Sequence, residues 1–138
     1  MDTHATITGT ITADPTLRFT GSGTAVVGFS LAVNSRKKEN GEWVDGPTSF
    51  FDVTCWKGLA ENVAESFSKG DRLIVTGRLE QQSWEKDGQT RTKVQLVADE
   101  VGASVRWATV EVQRTSRRSE GEAAAKVQEA FDASTEPF

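Results

Sequence analysis

The sequence predicts an all-β domain: a five-stranded barrel with one helix between its third and fourth strands, followed by a short disordered C-terminal tail. Three observations predict it. Apolar and polar residues alternate with period two in five separate stretches, and a single stretch switches to a four-residue repeat. Hydrophobic residues make up only 36% of the 138 residues while Gly occurs 12 times and Thr recurs beside Val and Ile, a composition suited to short strands and tight turns rather than a helical bundle.

The first strand is Ala5 to Ile11, with Ala5, Ile7, Gly9 and Ile11 facing one way and His4, Thr6, Thr8 and Thr10 the other. Asp14-Pro15 makes a turn, and Ala25, Val27, Phe29, Leu31 and Val33 then form the apolar row of a second strand opposite Thr24, Val26, Gly28 and Ser30. Ser35 to Pro47 is polar, holds Arg36-Lys37-Lys38 and Asn40-Gly41, and reads as a long solvated hairpin loop. The third strand, Thr48 to Trp56, sets Phe51, Val53 and Cys55 inward and Phe50, Asp52, Thr54 and Trp56 outward.

After Gly58 the spacing becomes helical, with Leu59, Val63 and Phe67 on one stripe beside Ala60 and Ala64, and Lys69-Gly70 ending the helix. The fourth strand, Asp71 to about Trp84, alternates Leu73, Val75 and Leu79 against Arg72, Ile74, Thr76, Arg78, Gln82 and Trp84. Lys86-Asp87-Gly88 turns the chain into a return strand, Thr90 to Ala98, expected to bury Thr92, Val94 and Leu96 and to expose Arg91, Lys93 and Gln95. Three strands, a helix and two strands is the order of the oligonucleotide/oligosaccharide-binding (OB) fold, whose closure removes exposed sheet edges. Trp107 to Val112 alternates once more and is a candidate sixth strand, pairing within the subunit or across an oligomer interface. Residues 1–112 are therefore assigned to the barrel and 113–138 to a polar, flexible tail in which only Ala123 to Phe131 suggests a short helix.

Composition excludes several function classes. The one His stands near the N-terminus, no metal-ligand cluster is present, and no Ser lies at a strand-to-helix turn, so no catalytic residue, metal or cofactor is expected. Asp52 and Glu80 are both expected outward on neighbouring strands, a weak carboxylate pair for acid/base work. Gly21-Ser22-Gly23 lacks the Lys and helix of a phosphate-binding loop and is read as a turn. The lone Cys55 is a core thiol. No apolar run is long enough to cross a bilayer and Met1-Asp2-Thr3-His4 has no signal pattern, so a soluble, unexported, cytoplasmic protein is expected.

The candidate site lies on the outward rows. Phe50, Trp56 and Trp84 share strand faces with polar residues, and each would leave a large apolar ring in water. Nucleobases suit such rings, because every base has a π-face and stacking is worth about 1–3 kcal/mol per base with no demand on sequence. Trp43, in the loop, is a fourth stacking candidate whose direction nothing nearby fixes. Arg72, Arg78, Arg91 and Lys93 lie among the aromatics and Arg36, Lys37 and Lys38 on the loop, as cations following a phosphate chain would. The net charge of −4 is shared between residues 1–110, with 12 basic and 14 acidic side chains, and 111–138, with 4 and 6. Screening beyond about 8–10 Å makes the local arrangement matter more than this total.

The sequence closely resembles the bacterial single-stranded DNA-binding protein family over about residues 5–110. The resemblance is carried by Gly9-x-Ile11-x-x-Asp14-Pro15-x-x-Arg18-Phe19, Gly23-x-Ala25-Val26, Phe29-Ser30-Leu31-Ala32-Val33 and Phe50-Phe51-Asp52-Val53-x-x-Trp56. It continues through Leu59-Ala60-Glu61, Lys69-Gly70-Asp71-x-Leu73-x-Val75-x-Gly77-Arg78-Leu79, and Trp84 ahead of Asp87-Gly88. It implies base stacking at Phe50, Trp56 and Trp84, a phosphate contact at Lys69, a homotetramer, and protection of single strands during replication, repair and recombination. The closing Pro137-Phe138 is similar to the family's partner-binding tip, though few acids precede it. Arg36-Lys37-Lys38 stands where many members have a further stacking Trp, which implies a smaller site or lower affinity. Two other readings of the same residues are an OB adaptor whose aromatic face takes a protein and an RNA-binding cold-shock-type barrel; the latter lacks the aromatic RNA-binding signatures.

Overall fold

A computed structural model describes residues 3–115. Its elements run β1 (His4–Ile11), β2 (Thr16–Phe19), β3 (Ala25–Glu39), β4 (Glu42–Trp56), α1 (Lys57–Ser66), β5 (Arg72–Lys86) and β6 (Gln89–Ala103). The strands are ordered β1-β5-β6-β4-β3-β2, and a further β1–β3 pairing closes β1, β5, β6, β4 and β3 into a ring. This is the OB barrel that the element order predicts. All pairings are antiparallel except β4–β6, which is parallel and limited to Asp52–Gln95, Val53–Leu96 and Thr54–Val97.

The period-two rows account for the core. Ile11, Val27, Leu31, Val53, Cys55, Leu73, Val75 and Leu96 are essentially sealed from solvent, with Phe29 beside them. Burying each large apolar side chain contributes about 1.5–3 kcal/mol. From α1, Ala60 and Val63 enter this core, while Leu59, Ala64 and Phe67 pack against it half-buried. The helix ends at Ser66, with Phe67 already extended. A polar clasp then ties the β1–β2 loop to the α1–β5 turn. The Lys69 N–H donates to the Asp14 carboxylate at 2.7 Å and the Gly70 N–H to the Ile11 carbonyl at 2.9 Å.

Several expectations are corrected. Ser35 to Pro47 is no solvated loop. The strands continue to Glu39 and from Glu42, joined by Asn40-Gly41 with φ of 51° and 81°, the two positive values a type I′ hairpin turn requires. Asp87-Gly88, with φ of 54° and 74°, makes the same turn between β5 and β6. Strands of 15 residues span about 50 Å, so both hairpins extend as ribbons past the core. The four-residue β2, too short to show periodicity, pairs with β3 outside the ring.

In β6, Thr92 is exposed and Val94 is 57% exposed rather than buried, and Gln95 is the covered residue. Phe51 and Leu79, also on the inward row, are likewise part-exposed. Thr92 and Val94 lie toward the ribbon, beyond the last sealed inward residue of β6, Leu96, whereas Phe51 and Leu79 stand at the edge of the core, paired with the sealed Leu31 and Leu96. No strand forms over 107–112. The last β5–β6 pair is Leu73–Ala103, and one further bond, from the Ser104 N–H to the Arg72 carbonyl at 2.9 Å, ends the pairing. The described residues divide at Ala108/Thr109, and 109–115 carry no helix or strand.

Two glycines mark places where strands approach too closely for a side chain. A Cβ on Gly9 would sit 2.7 Å from the Ala32 carbonyl oxygen at the β1–β3 closure, and one on Gly77 would collide with the Val97 carbonyl at the β5–β6 bulge. Gly77→Ala is expected to lower stability by about 1–3 kcal/mol through overpacking. Urea denaturation would read this as a lower midpoint with unchanged slope. A wild-type midpoint would mean the bulge spreads freely.

Burial pushes the Cys55 thiol up from 9.0 to about 12. The unfolded chain releases this proton from about pH 9 and the folded chain only near 12. The contribution of the neutral thiol to stability is therefore full below pH 9 and is lost as pH rises through that window. At pH 8 a thiol reagent should label native Cys55 only as fast as the barrel opens, and at once in denaturant. Rapid native labelling would contradict the sealed core.

Candidate nucleic-acid interface

Residues directly opposed on paired strands share a face, so the register defines the outer surface of the barrel. On β3 and β4 the outward pairs are Val26–Trp56, Gly28–Thr54, Ser30–Asp52 and Ala32–Phe50. The row then crosses β6 into β5 as Asp52–Gln95–Glu80 and Thr54–Val97–Arg78, followed by Gln82–Lys93 and Trp84–Arg91 toward the ribbon tip. Phe50, Trp56 and Trp84 therefore belong to one continuous surface, and their exposures of 66%, 42% and 43% show that each ring is open to solvent. Beside Phe50 and Trp56, β3 presents only Val26, Gly28, Ser30 and Ala32, a low floor that lets a flat ligand reach the rings.

The direction of Trp43, which its sequence neighbours left open, follows from a bulge. Between Asn34–Thr48 and Arg36–Asp45 the register shifts, β4 holding one residue more than β3. The extra residue inverts the facing of the distal part of β4, so Trp43, opposite Lys38, returns to the face of Phe50. It is 62% exposed. The same alternation divides the basic run. Arg36 and Lys38 share the aromatic face, whereas Lys37, opposite Val44, faces the other side of the ribbon and pairs with Glu39 at 3.0 Å.

The remaining cations are distributed unevenly. Arg91 lies directly across from Trp84. Lys93 and Arg78 are on the same face and each meets a carboxylate, Lys93 that of Asp52 at 3.1 Å and Arg78 that of Glu80 at 3.0 Å. Asp52 and Glu80 are indeed outward but not on adjacent strands, since β6 separates them. Between them the Thr54 hydroxyl donates to the Gln95 side-chain oxygen at 2.8 Å, which satisfies the one buried polar side chain of the described residues. Arg72 pairs with Thr10 at the far end of β5, about 40 Å along the strand from Trp84, and Lys69 is exposed in the α1–β5 turn on no strand row.

Sequence reasoning missed Arg18. It lies on β2 opposite Val26, which is itself opposite Trp56, so a guanidinium, a small floor residue and an indole form one row over three strands. The signal was the Thr16-x-Arg18 alternation, detectable only once β2 is known to be a strand. Pro137 and Phe138 lie outside the described residues. Among the described residues no group of three His, Cys, Asp or Glu side chains is placed to hold a metal ion, and no helix is long and apolar enough to cross a membrane.

A face of exposed rings interleaved with cations can stack unpaired bases and hold phosphates, and comparison with known proteins points the same way. The model of the single-strand binding protein family matches residues 2–104. The chain is 50% identical over 119 residues to a single-stranded DNA-binding protein of Mycobacterium leprae, covering 84% of this chain and 71% of that protein. It is 46% identical over 121 residues to one of Paenarthrobacter aurescens, covering 86% and 71%. The crystal structure of a small single-stranded DNA-binding protein from Streptomyces coelicolor superposes with a TM-score of 0.65 at 32% identity, covering 75% of this chain and 95% of that one.

Proposed function

Because the chain belongs to the single-strand binding protein family, we propose that it binds and protects single-stranded DNA without strong sequence preference during replication, repair and recombination. It is a binding protein and not an enzyme. The observation that carries this reading is the single outer face on which Phe50, Trp56, Trp84 and Trp43 stand exposed among cations.

The chemistry follows from that face. Each ring offers a base about 1–3 kcal/mol of stacking, and any base will serve, which explains affinity without sequence reading. In a duplex the π-faces are already stacked on one another, so the rings have nothing to hold. Arg18, Arg36, Lys38, Arg91, Lys93 and Arg78 serve the phosphates, and release of condensed counterions makes binding salt-dependent. Lys69, Arg72 and Lys37, off the aromatic rows or far along them, serve a strand that continues round the barrel.

The same reading sets the protein to work in the cytoplasm, on nucleoid DNA, as a homotetramer. A single chain leaves one edge of β1 open: His4 to Thr10 pair with β5, but on the other side only Thr10 and Ile11 meet β3. An open edge is a ready template for another strand. Capture of replication or repair proteins through Pro137 and Phe138 belongs to the proposal on the strength of the terminal pair's resemblance alone.

Titration with oligo(dT) should quench Trp fluorescence, weaken with added salt, and exceed duplex binding by orders of magnitude; equal affinity for duplex would refute the reading. Phe50→Ala and Trp84→Ala should each weaken oligo(dT) binding by about 5- to 150-fold, the equivalent of one lost stack. Light scattering should return four times the 15.0 kDa chain mass, and a monomer would remove the assembly from the proposal.

A further inference from the structure

Cations on the aromatic face fall into two classes. Arg18, Arg91, Arg36 and Lys38 engage no carboxylate among the described residues, whereas Lys93 and Arg78 are each held by one. The second class is held closely. Lys93 Nζ lies 3.1 Å from Asp52 Oδ2, and Arg78 places both Nη2, at 3.0 Å, and Nε, at 3.1 Å, on Glu80 Oε2. All four side chains are 43–48% exposed, so water and a ligand can reach them.

The position of the carboxylates matters as much as their pairing. Asp52 stands between Phe50 and Trp56 on the outward row of β4, and Glu80 stands four residues before Trp84 on that of β5. A strand stacked across these rings must pass both. Exposed ion pairs are worth only about 0–1 kcal/mol, so they add little to the fold and yield readily to a stronger anion.

We propose that Asp52 and Glu80 are internal competitors of the phosphate backbone, occupying Lys93 and Arg78 in the free protein and giving them up when single-stranded DNA binds. The inference rests on the single-strand reading above. A phosphate arriving at Lys93 takes the place of a carboxylate already there and leaves that carboxylate unpaired beside the DNA. The contact therefore yields less affinity, and less counterion release, than one made by Arg91. The device lowers affinity and flattens its dependence on salt, which favours turnover on the strand over permanent coating.

The test is a set of oligo(dT) isotherms at four salt concentrations for wild type, Asp52→Asn, Lys93→Ala, the double variant and Arg91→Ala. Circular dichroism would check that the near-isosteric Asp52→Asn stays folded. Asp52→Asn should tighten binding about 3- to 10-fold at low salt and steepen the salt slope by up to about 0.7, the increment for one freed phosphate contact on a single strand. Lys93→Ala should weaken binding about twofold in the wild-type background and about tenfold in the Asp52→Asn background. Arg91→Ala should reduce the slope more than Lys93→Ala does. Glu65→Gln on α1 is the control for net charge and should leave affinity within about twofold.

The proposal is overturned if Asp52→Asn weakens binding, which would make Asp52 a positioning residue for Lys93. It is overturned equally if Asp52→Asn tightens binding no more than Glu65→Gln, or if Lys93→Ala has the same effect in both backgrounds. In each of these results wild type still binds and the single-strand reading stands. Failure of wild type to bind oligo(dT) at all would remove both.

Discussion

Closure of the five-strand ring is the constraint that sets the direction of the side chains on the barrel's outer face, up to the bulge where the β3–β4 ribbon begins. Once β1 meets β3 at Thr10–Ala32 and Ile11–Leu31, each ring strand has one side committed to the core and the other to the outer face. The closure depends on a narrow contact, where Gly9 lies against the Ala32 carbonyl and admits no side chain. With the ring open, β1 and β3 would be free to shift by a residue, and a one-residue shift of either turns its core residues, Ile11 on β1 or Val27, Phe29 and Leu31 on β3, out to water. The core side chains sealed within the barrel are what make such a shift unfavourable.

On the outside, the energetics run the other way. Four large rings in water are unfavourable for the isolated chain, and the stacking proposed above would cover them. Charge on this face is arranged residue by residue rather than as a basic field, which is how a chain of net charge −4 can present cations locally. Arg18, Val26 and Trp56 in one row, and Trp84 opposite Arg91 in another, put a cation within a strand spacing or two of a ring. The acids woven among them keep the surface far from the strongly positive character of many nucleic-acid binders.

Much of this was legible in the sequence because period-two alternation is a direct readout of inside and outside on a half-buried strand. Ile7 through Ile11, Val27 through Leu31, Val53 with Cys55, and Leu73 with Val75 needed no structure to be assigned, and Phe50, Trp56 and Trp84 followed as their outward neighbours. The reading failed where burial no longer drives the pattern. Beyond Asn34 both sides of the ribbon are wet, so residues 35–47 carry no alternation, and the Asn40-Gly41 turn was the only clue to a hairpin. Val94 falls on the inward side of the Thr92-Val94-Leu96 alternation, yet at its level that side is open to solvent. The facing of Trp43 depends on a bulge, a property of two strands together that one strand's sequence does not contain.

The ribbons, held at their tips by two-residue turns and built of residues that touch little of the core, separate reach from stability. Lengthening the β5–β6 ribbon by two residues on each arm below Trp84 would carry that ring about 7 Å farther out and keep it on the same face. Adding one residue to each would turn it to the opposite side. The span of strand such a barrel can cover is thus adjustable only in paired steps, and a surface of this kind can change its footprint in discrete increments while its interior remains untouched.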